Sequence, residues 1–447
     1  MKAQETYSNL FKNYREVLRL NAARALDGAR DQAFALFESL GLPGPKDEDY
    51  RHCNLSPALE VDYGLNLYRM GIPAHPSEVF RCDVPTLSTR LFFVVNDLFY
   101  PNKKRPVSLP EGVLCGSLNQ LLNEHPDLLE KYYNALAAQG KDALAALNTA
   151  LVQDGFVLYV PAGVHIEQPL QLVQMFQGDI DIMATRRLLV ILEEDASAQL
   201  IVCDHAMSKA RYFSNQVSEI FLGKNANLSY YEMEMTHDDT TRVSNTFLSL
   251  GPDANLLMSN IGLENGLTRN NVFLQFDAPG AKVDLSGICL LSRRQQTDNH
   301  ILVNHKSGGC QSNQIFKYVL DGNAQGVFEG KVLVQPDAQK TVALQSNANL
   351  CCSEQAHMYS QPQLEIYADD VTCNHGSATG QIDETALFYM RQRGLSPEEA
   401  RMFLKYAFAA DVVDRIQLKP LQERVRMLIG KRFRGELSKC AQCDICP

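Results

Sequence analysis

The chain has 447 residues, 42 Lys and Arg against 52 Asp and Glu, a formal net charge of −10, and 45% hydrophobic content. This supports two to four folded units at about 150 residues each and excludes wholesale disorder; the acidic balance excludes non-specific wrapping of nucleic acid, which needs surplus cations. No long apolar run suggests a membrane span, the opening residues lack the apolar core of a secretory signal, and the 12 cysteines therefore predict reduced thiols in the cytoplasm.

Residues 1–152 are predicted to be a helical and mixed region. Leu18, Ala22, Ala25, Ala29, Ala33, Leu36 and Leu40 fall at helical spacing, and Gly41, Pro43, Gly44 and Pro45 stop that helix. A second helical stretch spans Leu118 to Ala150 and divides at Pro126. Between them the chain is broken by prolines such as Pro73, Pro76, Pro85 and Pro110.

Residues 153–382 change texture. Short β-rich runs such as Phe156–Val160, Leu188–Leu192, Leu228–Met233 and Phe316–Leu320 follow one another with no intervening amphipathic helix. Corners of one flavour separate them: Asp195-Ala196, Asn225-Ala226, Asp253-Ala254, Gly280-Ala281, Asn323-Ala324 and Asp337-Ala338. Asx and Gly tolerate the left-handed backbone at a corner, and Ala packs where coils stack. The first four recur at steps of 30, 28 and 27 residues, a loose repeat that predicts a β-solenoid ahead of a sandwich or barrel.

Residues 383–436 are predicted to be helical. Ser396-Pro397-Glu398-Glu399 reads as a capping box with Pro at the first helical position. Phe403 and Phe408 are five apart and diverge on that helix. So few helices bury little core alone and must dock on the solenoid or on a partner. The stretch Arg415–Lys439 holds eight basic and two acidic residues and reads by default as a solvated basic face, with attachment to an acidic partner open. Residues 437–447 form a Cys-rich tail, with Cys440, Cys443 and Cys446 spaced as in ferredoxin-type loops but without a fourth ligand beside them.

Cys373 and His375, two apart, point to one face of a strand and can offer a thiol and an imidazole together, both suited to iron. Packing of a buried Cys and a hydrogen-bonded His is the competing reading. The vicinal Cys351 and Cys352 face opposite sides, which disfavours joint ligation. His300 and His305 also face opposite sides and are predicted to be polar edge positions. No phosphate-binding GxxxxGK[ST], HExxH or GxSxG motif is present.

Several segments resemble, in order, the SufB/SufD family of iron–sulfur cluster assembly proteins. They are Pro43 with Asp47-Glu48-Asp49-Tyr50-Arg51 (Tyr50 standing where the family has Trp), Asp154-Gly155-Phe156, Val160-Pro161-Ala162-Gly163, and Ala368–Asp383 continuing through Leu387–Gly394. Cys-x-His at 373–375, where SufB carries Glu-His, favours the SufD branch. The resemblance implies a right-handed parallel β-helix core with helical N- and C-terminal regions. It implies a non-enzymatic subunit of a SufBCD scaffold, a transient Fe–S cluster shared with SufB at His375 with Cys373 beside it, and no stable cluster in the isolated chain. It also implies C-terminal helices that receive the ATPase SufC, and leaves room for a homodimer of the isolated chain. Two other functions stay open: a carbohydrate-active β-helix enzyme, which an export signal or clustered Asp and Arg on one solenoid face would favour, and an Fe–S or metal carrier using Cys440, Cys443 and Cys446.

Overall fold

Side chains two apart share a face of a strand, so period-two alternation lets a run of strands bury one face each and wind around a common core. In the computed structural model, which describes residues 2–20, 22–68, 75–76, 88–101 and 108–436, this produces a parallel β-solenoid. Eight strands from Phe156–Val160 to His357–Ile366 stack in one sheet, and eight from Leu170–Phe176 to Thr372–Gly380 in the other. Each strand pairs with the strand one coil away: Tyr230 lies between Leu200 and Met258.

The predicted corners are real. Asp195, Asn225, Asp253 and Gly280 have φ of 56°, 51°, 56° and 82°, and Ala196, Ala226, Ala254 and Ala281 behind them are fully buried. Asn323-Ala324 belongs instead to the opposite corner of the coil, where the positive φ falls on Gly322. Two kinds of corner alternate along the chain, and in later coils the positive φ also falls on Arg293 and, past Asp337-Ala338, on Lys340.

The lumen has an apolar half and a polar half. Leu172, Leu200, Leu228, Leu256, Val190, Leu248 and Leu274 fill the first. In the second, Arg186 meets Asp204 at 2.5 Å, Arg242 meets Asp204 at 3.0 Å and also Glu232, and Arg242 donates to Asn270 at 2.7 Å. Asn270 then donates to Asn299 at 2.9 Å. Arg186, Asp204, Arg242 and Glu232 are thus paired with one another, as burial demands. His305 is in the core, stacked on Phe276 and 2.9 Å from Ser312, which corrects its assignment to an edge.

The N-terminal region closes the first coil. Arg90–Val95 extends one sheet in parallel and Leu98–Tyr100 covers it antiparallel, while Leu114–Ser117 covers the other sheet antiparallel. The predicted helix from Leu18 to Leu40 is two, Lys2–Arg19 and Arg24–Leu40. The chain turns at Ala23, whose N–H donates to Asn119 Oδ1 at 2.7 Å, so a tertiary hydrogen bond overrides a continuous local pattern. Tyr50 lies 3.8 Å (ring centroid) from the Arg269 guanidinium, so the aromatic face is kept without Trp.

The C-terminal helices Glu384–Gln392, Pro397–Val413 and Lys419–Phe433 lie on the solenoid itself. Val412, Val413, Leu421, Val425, Leu428 and Ile429 cover the outward Ile201, Tyr231, Ile261, Ile288 and Val319. Ser396 and Glu399 form the predicted capping box. The basic stretch is not a free face: Arg415 reaches Asp284 at 2.6 Å and Arg432 reaches Glu264. Among the described residues no helix is long and apolar enough to cross a membrane.

Candidate functional site at the open end of the solenoid

The two ends of the solenoid differ. Strands of the N-terminal region cover the first coil, whereas Thr372–Gly380 and His357–Ile366 are the last strands of their sheets, each with one edge unpaired among the described residues. Soluble proteins normally cover or charge such edges. Here Tyr359, Ile366 and Tyr367 are exposed beside them.

Cys373 and His375 stand on this last coil. In register, Cys373 lies over Ala343, His375 over Gln345, Ser377 over Asn347 and Thr379 over Asn349. Ala343, Gln345, Asn347 and Asn349 are buried in the lumen, so all four residues of the last strand continue the inward row. The one-face placement expected from two-residue spacing is therefore present. Cys373 is half-buried and packs with Val332, Val334 and Ala343, and burial pushes its thiol up from the ordinary value. His375 is exposed. His375 is thus the more accessible of the two donors.

Polar groups line the same mouth. Ser360 donates to Asn347 Oδ1 at 2.7 Å and lies 2.7 Å from Ser377 Oγ. Asn349 donates to Asn347 at 2.7 Å and to Thr379 at 3.1 Å. These amides and Gln345 were not singled out from sequence; the alternation in Gln345-Ser346-Asn347-Ala348-Asn349 was the available signal, since it puts three amides on one face. Among the described residues no group of three or more His, Cys, Asp or Glu gathers as a metal site. One imidazole and one thiol fall short of the four ligands that an Fe–S cluster takes, so these residues fit such a cargo only if another molecule supplies the rest.

The other sequence candidates separate. Cys351 packs against the lumen core and Cys352 against the helical tail, on opposite sides as expected, and burial pushes the Cys352 thiol up to about 11. His300 Nε2 lies 3.3 Å from Asp298 and 3.4 Å from Glu329 under the N-terminal segment. Burial, with the Arg269 charge beside it, holds this imidazole down at about 3. Cys440, Cys443 and Cys446 lie outside the described residues. A trough of about 770 Å³ crosses the outer face of the second sheet, lined by Ser197, Asn227, Asn255 and Gln311. Its acids are Glu167 and Asp284, and Asp284 is held by Arg415 and Asn313. The clustered carboxylates Asp204, Glu232 and Glu234 are instead buried. These three acids therefore lie in the lumen and not on an outer face of the solenoid.

The chain matches two family models. One, for the SufBD core domain of SUF system FeS cluster assembly, spans residues 175–408, and one for the SufBD protein N-terminal region spans residues 1–172. An iron–sulfur cluster assembly SufBD family protein of Synechocystis sp. is 31% identical over 90% of each chain. The iron–sulfur cluster assembly protein SufD of Escherichia coli is 28% identical over 65% of this chain and 69% of its own. SufD of Bacillus subtilis is 28% identical over 72% of this chain and 75% of its own. With the N-terminal region and the solenoid matched in order by these models, the chain belongs to the SufB/SufD family of SUF-system iron–sulfur cluster assembly proteins.

Proposed function

We propose that this chain is a SufD-type, non-enzymatic subunit of a SufBCD scaffold, and that its open solenoid end docks on SufB. The carrying observation is the uncovered last coil with Cys373 and His375 in its inward row. Unpaired edges and exposed aromatic residues favour a partner that continues the sheets. The nascent cluster is then cargo held between the two chains: His375 gives one imidazole nitrogen, Cys373 stands beside it, and SufB supplies the thiolate. Two donors alone release metal readily, which suits a scaffold that must pass its cargo on, so the isolated chain holds no stable cluster.

The C-terminal helices are the proposed seat of SufC. Phe403 is about half exposed on Pro397–Val413, and Phe388 and Tyr389 are more exposed on the neighbouring helix. Phe408 instead packs on its own domain, with Lys317 Nζ 4.5 Å from its ring centroid. One aromatic is thus left for a partner and one is used internally. ATP-driven pairing of SufC on this chain and on SufB would strain the shared interface, provided the nucleotide-bound form prefers one geometry.

Co-purification tests the docking end. Ser377→Lys puts a charge at the mouth without touching buried core. SufB is expected to co-elute with the wild type and to be lost with this variant, while SufC remains. SufB retained on the variant at wild-type stoichiometry would move the interface elsewhere.

A further inference from the structure

Gln345 lies directly beneath His375 in the parallel register, one strand spacing below it. It is 4% exposed. Its Nε2 donates to Gln314 Oε1 at 3.2 Å, and Gln314, fully buried, lies beneath it in turn. The side-chain oxygen of Gln345 is buried and has no hydrogen-bond partner among the described residues. Gly330 makes the space: a Cβ there would lie 2.3 Å from Gln345 Nε2. The fold thus reserves room for a buried amide, anchors its nitrogen end, and leaves its acceptor end unused, which is normally unfavourable. Above it, His375 is exposed and takes no hydrogen bond from the described residues.

We propose that Gln345 is the positioning residue for His375. Its carbonyl oxygen accepts one imidazole N–H, which fixes the tautomer and turns the other ring nitrogen, lone pair free, toward the open end. Metal-binding histidines are generally oriented through the second nitrogen in this way. Gln314 holds Gln345 in turn, so the row 314–345–375 is an amide ladder ending on an imidazole. The inference rests on the reading of His375 as a donor to the cargo, but its test does not.

The test is the imidazole ¹⁵N spectrum of the full-length chain at mildly alkaline pH, with the His375 signals assigned by their loss in His375→Ala. Wild type is compared with Gln345→Leu, which removes the acceptor, and Gln345→Glu, which keeps it. A hydrogen bond of ordinary strength shifts the tautomer ratio by about two- to tenfold. That shift is expected in Gln345→Leu, with Gln345→Glu staying on the wild-type side. Circular dichroism checks that each variant is folded. A packing role predicts the reverse order of harm, with Leu harmless and the buried acid disruptive. An unchanged tautomer ratio in folded Gln345→Leu, or a larger change in Gln345→Glu, overturns the proposal. If the ratio shifts as expected while His375→Ala still assembles clusters normally with the partners, the positioning stands and the shared site falls.

Discussion

Arg187 Nη2 meets Glu219 Oε2 at 2.7 Å with both side chains fully buried. The other carboxylate oxygen of Glu219 accepts the N–H groups of Leu136 and Ala137 at 2.8 and 3.1 Å. The pair therefore ties the N-terminal region to the solenoid wall. Glu219→Gln leaves the guanidinium without its counter-charge and should cost about 3–5 kcal/mol of stability. Urea unfolding measures it; a loss below about 1 kcal/mol would mean that the pair is not closed off from water.

Glu234 sets a pH dependence. It is buried, accepts from the Thr268 hydroxyl at 2.7 and 2.8 Å, and burial outweighs the pull of Arg242 to push its carboxyl up to about 7 from 4.5. Between these values the folded chain keeps a proton that the unfolded chain gives up. This contribution to stability is complete below about pH 4.5 and is lost as pH rises through about 7. Glu234→Gln should flatten this slope, so the variant gains on the wild type from acid to mildly alkaline pH. Parallel urea midpoints across that range would contradict it.

The helical tail is a layer of the molecule. Lys317 Nζ bonds the Phe408 carbonyl at 3.0 Å and Asp411 at 2.7 Å, and the tail covers Ile201, Tyr231, Ile261, Ile288 and Val319. Truncation after Asp383 should uncover that face and produce aggregation, measured by light scattering. Phe403→Ala, at an exposed position, should change stability by less than about 0.5 kcal/mol while weakening SufC binding. A monomeric, fully folded truncated chain would show that the tail is dispensable to the core.

The solenoid was legible because its signals are local: Asx or Gly followed by Ala at the corners, and the absence of helical periodicity between Phe156 and Val371. The break at Ala23 was not, because its N–H donates to Asn119, far along the chain. The basic stretch after Arg415 misled for a similar reason, since Asp284 and Glu264 meet it only after coiling. Cys373 and His375 could be paired from spacing. Gln345 could not be placed beneath His375 without knowing the length of the coil.

The most direct measurement is cluster loading of the reconstituted three-protein complex, followed by iron content and visible absorption under anaerobic conditions. His375→Ala should leave the complex intact by size exclusion and reduce cluster loading by about tenfold or more, since losing a ligand should cost at least as much as losing an outer-shell partner. Cys373→Ser should lose less, because Cys373 packs against Val332, Val334 and Ala343 while His375 is exposed at the mouth. The triple variant of Cys440, Cys443 and Cys446 to Ser should also lose less. Full iron occupancy in an intact His375→Ala complex, or a larger loss in the triple variant, would contradict a cluster held at the open end of the solenoid.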